Sequence, residues 1–206
     1  MHNIMFQAKQ RNISILRTIL NYDIQFTKNL RTVLLKYIPF KALEMHSKVL
    51  EISCHGLVWL SLWMVFTWLI NNEHLYQMQM NMLFGLIFDI ILIALLKAGC
   101  RRRRPTKHGY ILSYGPDKFS FPSGHASRAF FISMFFICLY PVPKILWTPI
   151  LIWASSVSIS RLLSQRHFVL DIFFGILIGV IESYFISLLW LDSHTALLII
   201  KWISND

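Results

Sequence analysis

The chain is 206 residues long, 55% hydrophobic, and carries a formal net charge of +10, which fits a membrane protein with basic loops. A soluble protein this basic would point to nucleic acid, but the apolar runs are too long and too lightly charged for a soluble core. The bilayer and its anionic lipids are therefore the expected partner, and nucleic acid is not. Cys54, Cys100 and Cys138 are odd in number, widely spaced and without a zinc pattern, which argues against a disulfide framework or a metal clip.

Residues 1–53 carry eight Lys or Arg among short apolar stretches, and Arg17 interrupts the most apolar of these, 12–20, so no signal peptide is expected. Residues 24–42 mix apolar positions with Lys28, Arg31, Lys36 and Lys41 and read as an amphipathic helix lying in the interface. The first predicted span, 55–70, is uncharged and ends at Asn71, Asn72 and Glu73. The second, 80–96, contains Asp89, whose cost of roughly 3 kcal/mol at the bilayer centre is outweighed by Leu, Ile and Phe at about −0.5 kcal/mol each. A third, 123–140, stops at Pro141 and Pro143; a fourth covers 145–160 and a fifth 168–190. Residues 196–203 are too short to cross.

No internal repeat or linker divides the chain. The expected fold is all-α, a polytopic transmembrane helical bundle of about five spans (54–192) preceded by an interfacial segment (1–53) and followed by a short C-terminal one (193–206). Five spans put the N-terminus, 97–122 and 161–167 on one side together with nearly all the Lys and Arg, so the positive-inside rule makes that side cytosolic.

Three polar clusters punctuate the spans on that side. In Lys97-Ala-Gly-Cys-Arg-Arg-Arg-Arg-Pro105, Lys97 and Arg104 stand seven residues apart, two turns along one face if the helix continues; a stop-transfer cluster fits the same residues equally well. Phe121-Pro-Ser-Gly-His125 opens the third span, with Ser123 as a candidate N-cap and free amides at Gly124 and His125 suited to phosphate. Gly124 permits close approach of an oxyanion and His125 exchanges a proton near neutrality, although an ordinary capped helix start has the same appearance. In Ser160-Arg161-x5-His167-x3-Asp171, the histidine and carboxylate at i and i+4 share a helix face. There Asp171 would fix the tautomer and leave His167 a nucleophile, or the pair would simply stabilise the start of the fifth span.

Magnesium-dependent phosphoryl transfer needs several carboxylates, and these loops offer only Asp117 and Asp171, so no metal or other cofactor is expected. A cysteine phosphatase loop at Cys100 would want arginine where Thr106 stands.

Together the three motifs resemble the three-part signature of the type 2 phosphatidic acid phosphatase superfamily, with every defining position filled. Weaker similarity in Leu50-Glu51-Ile52-Ser53-Cys54-His55-Gly56 and Lys118-Phe119-Ser120-Phe121 resembles its polyisoprenoid diphosphate phosphatase branch. The resemblance implies that Lys97, Arg104 and Arg161 bind phosphate oxygens, aided by Ser123 and the Gly124 amide. His167 would attack phosphorus, Asp171 would orient His167, and His125 would protonate the leaving oxygen. It also implies a lipid mono- or diphosphate substrate such as presqualene, farnesyl or geranylgeranyl diphosphate, and residence in the endoplasmic reticulum or nuclear envelope. A broad phosphatidate or sphingosine-phosphate phosphatase and a silent scaffold are the alternatives. Arg101, Arg102 and Arg103 fit either substrate contact or a solvated basic run. Asp89 and Glu182 read as interhelical hydrogen-bonding groups, His55 as packing, and His46 and His108 as surface residues.

Overall fold

The computed structural model describes residues 2–37, 40–106 and 118–204, with side chains for 14–37, 45–106 and 118–202. His108, Asp117 and the Lys41 side chain lie outside the described residues. Among the described residues the structure is helical, apart from one antiparallel bridge between Arg103 and Phe119. The helices are α1 (His2–Leu34), α2 (Phe40–Ser53), α3 (Gly56–Leu69), α4 (Glu73–Cys100), α5 (Gly124–Met134), α6 (Trp147–Leu163), α7 (Val169–Leu188) and α8 (Ser193–Ser204).

Each predicted span is a helix. Helix α4, the 144–163 segment ending in α6, and α7 are long and apolar enough to cross a membrane alone. Residues 45–53 and α3 pass that test together across a 51° bend, whereas α5 and the π-turn that extends it to Leu139 form a shorter apolar rod. The boundaries follow from local chemistry. Asn72 caps α4 by accepting from the His74 amide at 3.0 Å. At its other end Arg101 turns left-handed (φ 49°) and donates its amide to the Lys97 carbonyl. The helix therefore does not continue to Arg104, which the sequence allowed: four like charges and the restriction imposed by Pro105 on its predecessor both oppose it.

The bundle is apolar outside and partly polar inside. Leu57, Leu62 and Trp68 of α3 and Phe173, Ile181 and Leu188 of α7 are exposed, as a lipid-facing surface requires, while Asp89, Arg128, Arg161, Asp171 and Glu182 are buried. Met82 and Leu86 of α4 pack with Phe131 and Phe135, and α8 docks on α4 through Ala196, Tyr76 and Met80. Helices α5 and α7 are in close backbone contact: a Cβ added at Gly175 would stand 2.5 Å from the Ser123 carbonyl, and one at Gly179 would collide with the Ser127 carbonyl. This small-x3-small stripe brings two backbones into contact.

The N-terminal segment departs from the helix bounds expected for it, 24–42. Helix α1 starts well before residue 24 and buries Asp23 and Thr27 against the start of α7. One polar face of α1 meets protein while Ile15, Leu16, Ile19 and Phe26 remain exposed. Amphipathicity alone cannot tell a lipid face from a face reserved for exposed helix ends.

Candidate active site

The three clusters converge at one end of the bundle. Lys97 is buried in the last turn of α4, Ser123 caps α5 with its hydroxyl 3.5 Å from the Ala126 amide, and Arg161 and Asp171 are buried at the end of α6 and the start of α7. The Ser123 amide donates to the Asp171 carbonyl at 3.0 Å, joining the second cluster to the third. The Ser120 amide donates to the Arg102 carbonyl at 2.8 Å, joining the second to the first.

His167 lies in the connection between α6 and α7 and is 3% exposed. Its Nδ1 is 2.7 Å from the Ser120 carbonyl oxygen, which can only accept. Nδ1 therefore carries the proton and Nε2 the lone pair. Burial first, and then the positive charges of Lys97 and Arg104, hold the imidazole well below its usual pKa against the opposing Ser120 carbonyl; Arg161 adds to the depression. The ring is thus kept neutral by the same cations that would receive an anion.

The expected Asp171–His167 hydrogen bond is replaced. Asp171 Oδ2 is 3.9 Å from Nδ1, beyond hydrogen-bond range. The carboxylate has other partners: Oδ1 accepts from Arg102 at 2.7 Å and Oδ2 from the Phe168 amide at 2.8 Å. A carboxylate in the first turn satisfies the helix N-terminus before it reaches a neighbour. The Ser120 carbonyl takes over as tautomer-fixing group, which side-chain motifs cannot announce.

His125 Nε2 contacts the Glu51 carbonyl at 3.2 Å, and its ring meets His55 edge-on at 6.4 Å between centroids. Arg161 donates to the Ser47 carbonyl at 3.1 Å and pairs with the Glu51 carboxylate at 3.3 Å. Helix α2 therefore supports both groups, and Glu51 falls in the stretch whose similarity extended beyond the three motifs. Arg104 Nε lies 3.4 Å from the Phe119 carbonyl.

Deeper in the bundle, Asp89 pairs with Arg128 at 2.5 Å and accepts from Ser127 at 2.9 Å, bridging α4 to α5. Arg128 was missed because it sits inside an apolar stretch. An acid at mid-span on one helix was the available signal that a cation would answer from another.

A cavity of about 670 Å³ opens at His167 and Arg104. Arg17, Lys28 and Arg31 of α1 line one side, Arg102 and Arg103 another, with Leu20, Ile24, Leu162 and Phe168 supplying apolar walls. A second, apolar groove of about 300 Å³ shares Leu162 and runs between α5, α6 and α7 past Ile159, Ile172 and Ile176. Among the described residues no three His, Cys, Asp or Glu side chains gather as a metal centre would need.

The sequence of residues 78–194, more than half of the chain and all three clusters, matches the PAP2 superfamily. The chain belongs to this superfamily. A curated relative, probable lipid phosphate phosphatase beta of Arabidopsis thaliana, is 33% identical over 130 residues, an alignment that spans half of this chain and 61% of the relative's length. The crystal structure of Aquifex aeolicus LpxE shares the fold, with a TM-score of 0.58 at 21% identity over 77% of this chain and 92% of that one. With its long apolar helices and membership of the PAP2 superfamily, the chain is an integral membrane protein.

Proposed function

We propose that the protein is a lipid phosphatase that hydrolyses polyisoprenoid mono- and diphosphates through a phosphohistidine intermediate, without a metal. The observation that carries the reading is a neutral, tautomer-fixed His167 lining a basic cavity that lies beside an apolar groove, with Leu162 shared between the two. A phosphate among Lys97, Arg104 and Arg161, with Ser123 and the Gly124 amide at the start of α5, has its developing charge met by fixed cations and a helix N-terminus. Nε2 of His167 attacks phosphorus, the bond to the leaving oxygen breaks, and that oxygen takes a proton from His125. Water then attacks the phosphohistidine, giving its proton back to His125 and restoring His167.

The lipid class follows from the groove, which accepts a tail while the head group stays in the basic cavity. The diphosphate preference follows from the additional cations Arg17, Lys28 and Arg103 on the cavity wall, since each added anionic oxygen takes another charge-assisted hydrogen bond. The cytosolic orientation rests on the eight positive residues before His55, and the endoplasmic reticulum is the proposed host membrane. His167→Ala protein in detergent, assayed on farnesyl diphosphate, farnesyl monophosphate and phosphatidate, is expected to release no phosphate. Wild-type activity is expected to survive chelator and to be inhibited by vanadate. Undiminished turnover by the variant would refute the nucleophile, abolition by chelator would refute the metal-free chemistry, and faster turnover of phosphatidate would replace the isoprenoid substrate.

A further inference from the structure

Helix α1 reaches the site through a residue outside all three motifs. Asp23 Oδ2 pairs with Arg102 at 2.6 Å, and Arg102 pairs through its other terminal nitrogen with Asp171 at 2.7 Å. The two carboxylates are 2% and 0% exposed, and the guanidinium between them lies over the Phe168 ring at 4.2 Å. Asp23 Oδ1 accepts from the Leu170 amide at 3.1 Å, the Thr27 hydroxyl from the Val169 amide at 3.1 Å, and Arg31 donates to the Leu163 carbonyl at 3.0 Å. Helix α1 thus clamps the end of α6 and the start of α7, and His167 lies on the segment between them.

We propose that Asp23 is a positioning residue for phosphoryl transfer: it locks the Arg102 guanidinium against Asp171 and so fixes the segment that aims His167. The inference rests on His167 being the nucleophile. Two routes connect the residues. Through its main chain, Arg102 accepts the Ser120 amide, and the Ser120 carbonyl holds His167 Nδ1. Through its side chain, Arg102 holds Asp171, which caps Phe168, the neighbour of His167. Asp171 alone would grip one guanidinium nitrogen; the second carboxylate fixes the plane of the group and completes the neutralisation of a cation flanked by Arg101 and Arg103. An unheld Arg102 lining the same cavity as His167 would turn to the substrate phosphate and displace it from its in-line position.

The test separates charge from capping. Asp23→Asn keeps an oxygen for the Leu170 amide but loses the charge that holds Arg102. Thr27→Ala removes a cap on the same helix end, and with it a long 3.5 Å contact from the Thr27 hydroxyl to Asp23 Oδ1, but leaves both carboxylates on Arg102 in place. In full-length protein, Asp23→Asn is expected to lower kcat about tenfold or more, the scale of a small misplacement of a reacting group, with KM within about twofold. Asp23→Glu is expected to recover most of that loss. Thr27→Ala is expected to lower the melting temperature and leave kcat within about twofold. A second readout needs no turnover: carbethoxylation of His167 by diethyl pyrocarbonate, followed by peptide mass spectrometry, is expected to proceed at least about threefold faster in Asp23→Asn than in wild type. Wild-type kcat in Asp23→Asn, or a kcat loss that follows melting temperature identically in Asp23→Asn and Thr27→Ala, overturns the inference. Activity retained by His167→Ala instead overturns the proposed function, so the two failures are distinct.

Discussion

Arg128→Met removes the cation that pairs with Asp89 at 2.5 Å in the middle of the bundle. Asp89 is 0% exposed, and the groups left beside it are the Ser127 hydroxyl at 2.9 Å and the buried Glu182, 1% exposed. Interhelical polar contacts in membranes average about 0.6 kcal/mol, but removing one partner of a buried ion pair leaves an uncompensated charge and costs about 3–5 kcal/mol. The larger figure applies because Asp89 is fully buried. At about 2–4 °C per kcal/mol for a chain of this size, the melting temperature in detergent, read by thermal aggregation and size exclusion, is expected to fall by roughly 6–20 °C. Arg128→Met/Asp89→Asn is expected to recover much of the loss, since neither half of the pair is then stranded. A double variant as unstable as the sum of its parts would show that Asp89 and Arg128 act independently and refute the reasoning.

A pH series tests the proposed neutral nucleophile. With His167 held below its usual pKa, the acid limb of kcat/KM is expected to lie below pH 6.5, and Lys97→Met is expected to move its midpoint upward; a limb at or above 6.5 in the wild type would contradict the geometry. The stability linkage has a definite sign. Below about pH 6.5 the unfolded imidazole binds a proton that the folded one refuses, so stability is lost as pH falls, by up to about 1.4 kcal/mol per unit, and is flat above. Gly175→Ala places a Cβ against the Ser123 carbonyl and is expected to cut kcat by one to two orders of magnitude, whereas Gly99→Ala, with nothing within 4 Å of the new Cβ, is expected to be silent in the same assay. Ile176→Trp fills the apolar groove and is expected to raise KM for long-chain substrates while sparing a short soluble phosphate ester; equal effects on both would show that the tail lies elsewhere.

The helices behind the five predicted spans were legible because each is an apolar run bounded by Asn, Pro or charge, and the three clusters because cations and histidines at the ends of such runs are costly without a purpose. What escaped was carried by main-chain atoms or by residues whose partners are distant in sequence. The Ser120 carbonyl is invisible to a reading of side chains, and Asp23 resembles any acid on a basic amphipathic helix until the start of α7, nearly 150 residues later, is seen to need its oxygen. The i,i+4 spacing of His167 and Asp171 was read correctly as proximity and incorrectly as a hydrogen bond, because the amide of Phe168 and the guanidinium of Arg102 take the carboxylate first.

Four consecutive arginines pose a single electrostatic problem, and the fold gives them separate solutions. Arg101 turns its guanidinium back to the Ala98 carbonyl at 2.9 Å, at the negative end of α4. Arg102 is buried between two carboxylates, Arg103 enters a main-chain bridge with Phe119, and Arg104 is left beside the Phe119 carbonyl facing His167. Arg102, Arg103 and Arg104 all line the cavity, and without the two carboxylates on Arg102 their mutual repulsion would spread them apart and leave no defined place for an anion. Drawing Arg102 off to Asp23 and Asp171 lowers that repulsion while stiffening the main chain that carries Arg104. On the proposed chemistry, neutralising one arginine makes its neighbour a better phosphate ligand, and that gives the carboxylates nearest the site a reason to bind a cation instead of the imidazole.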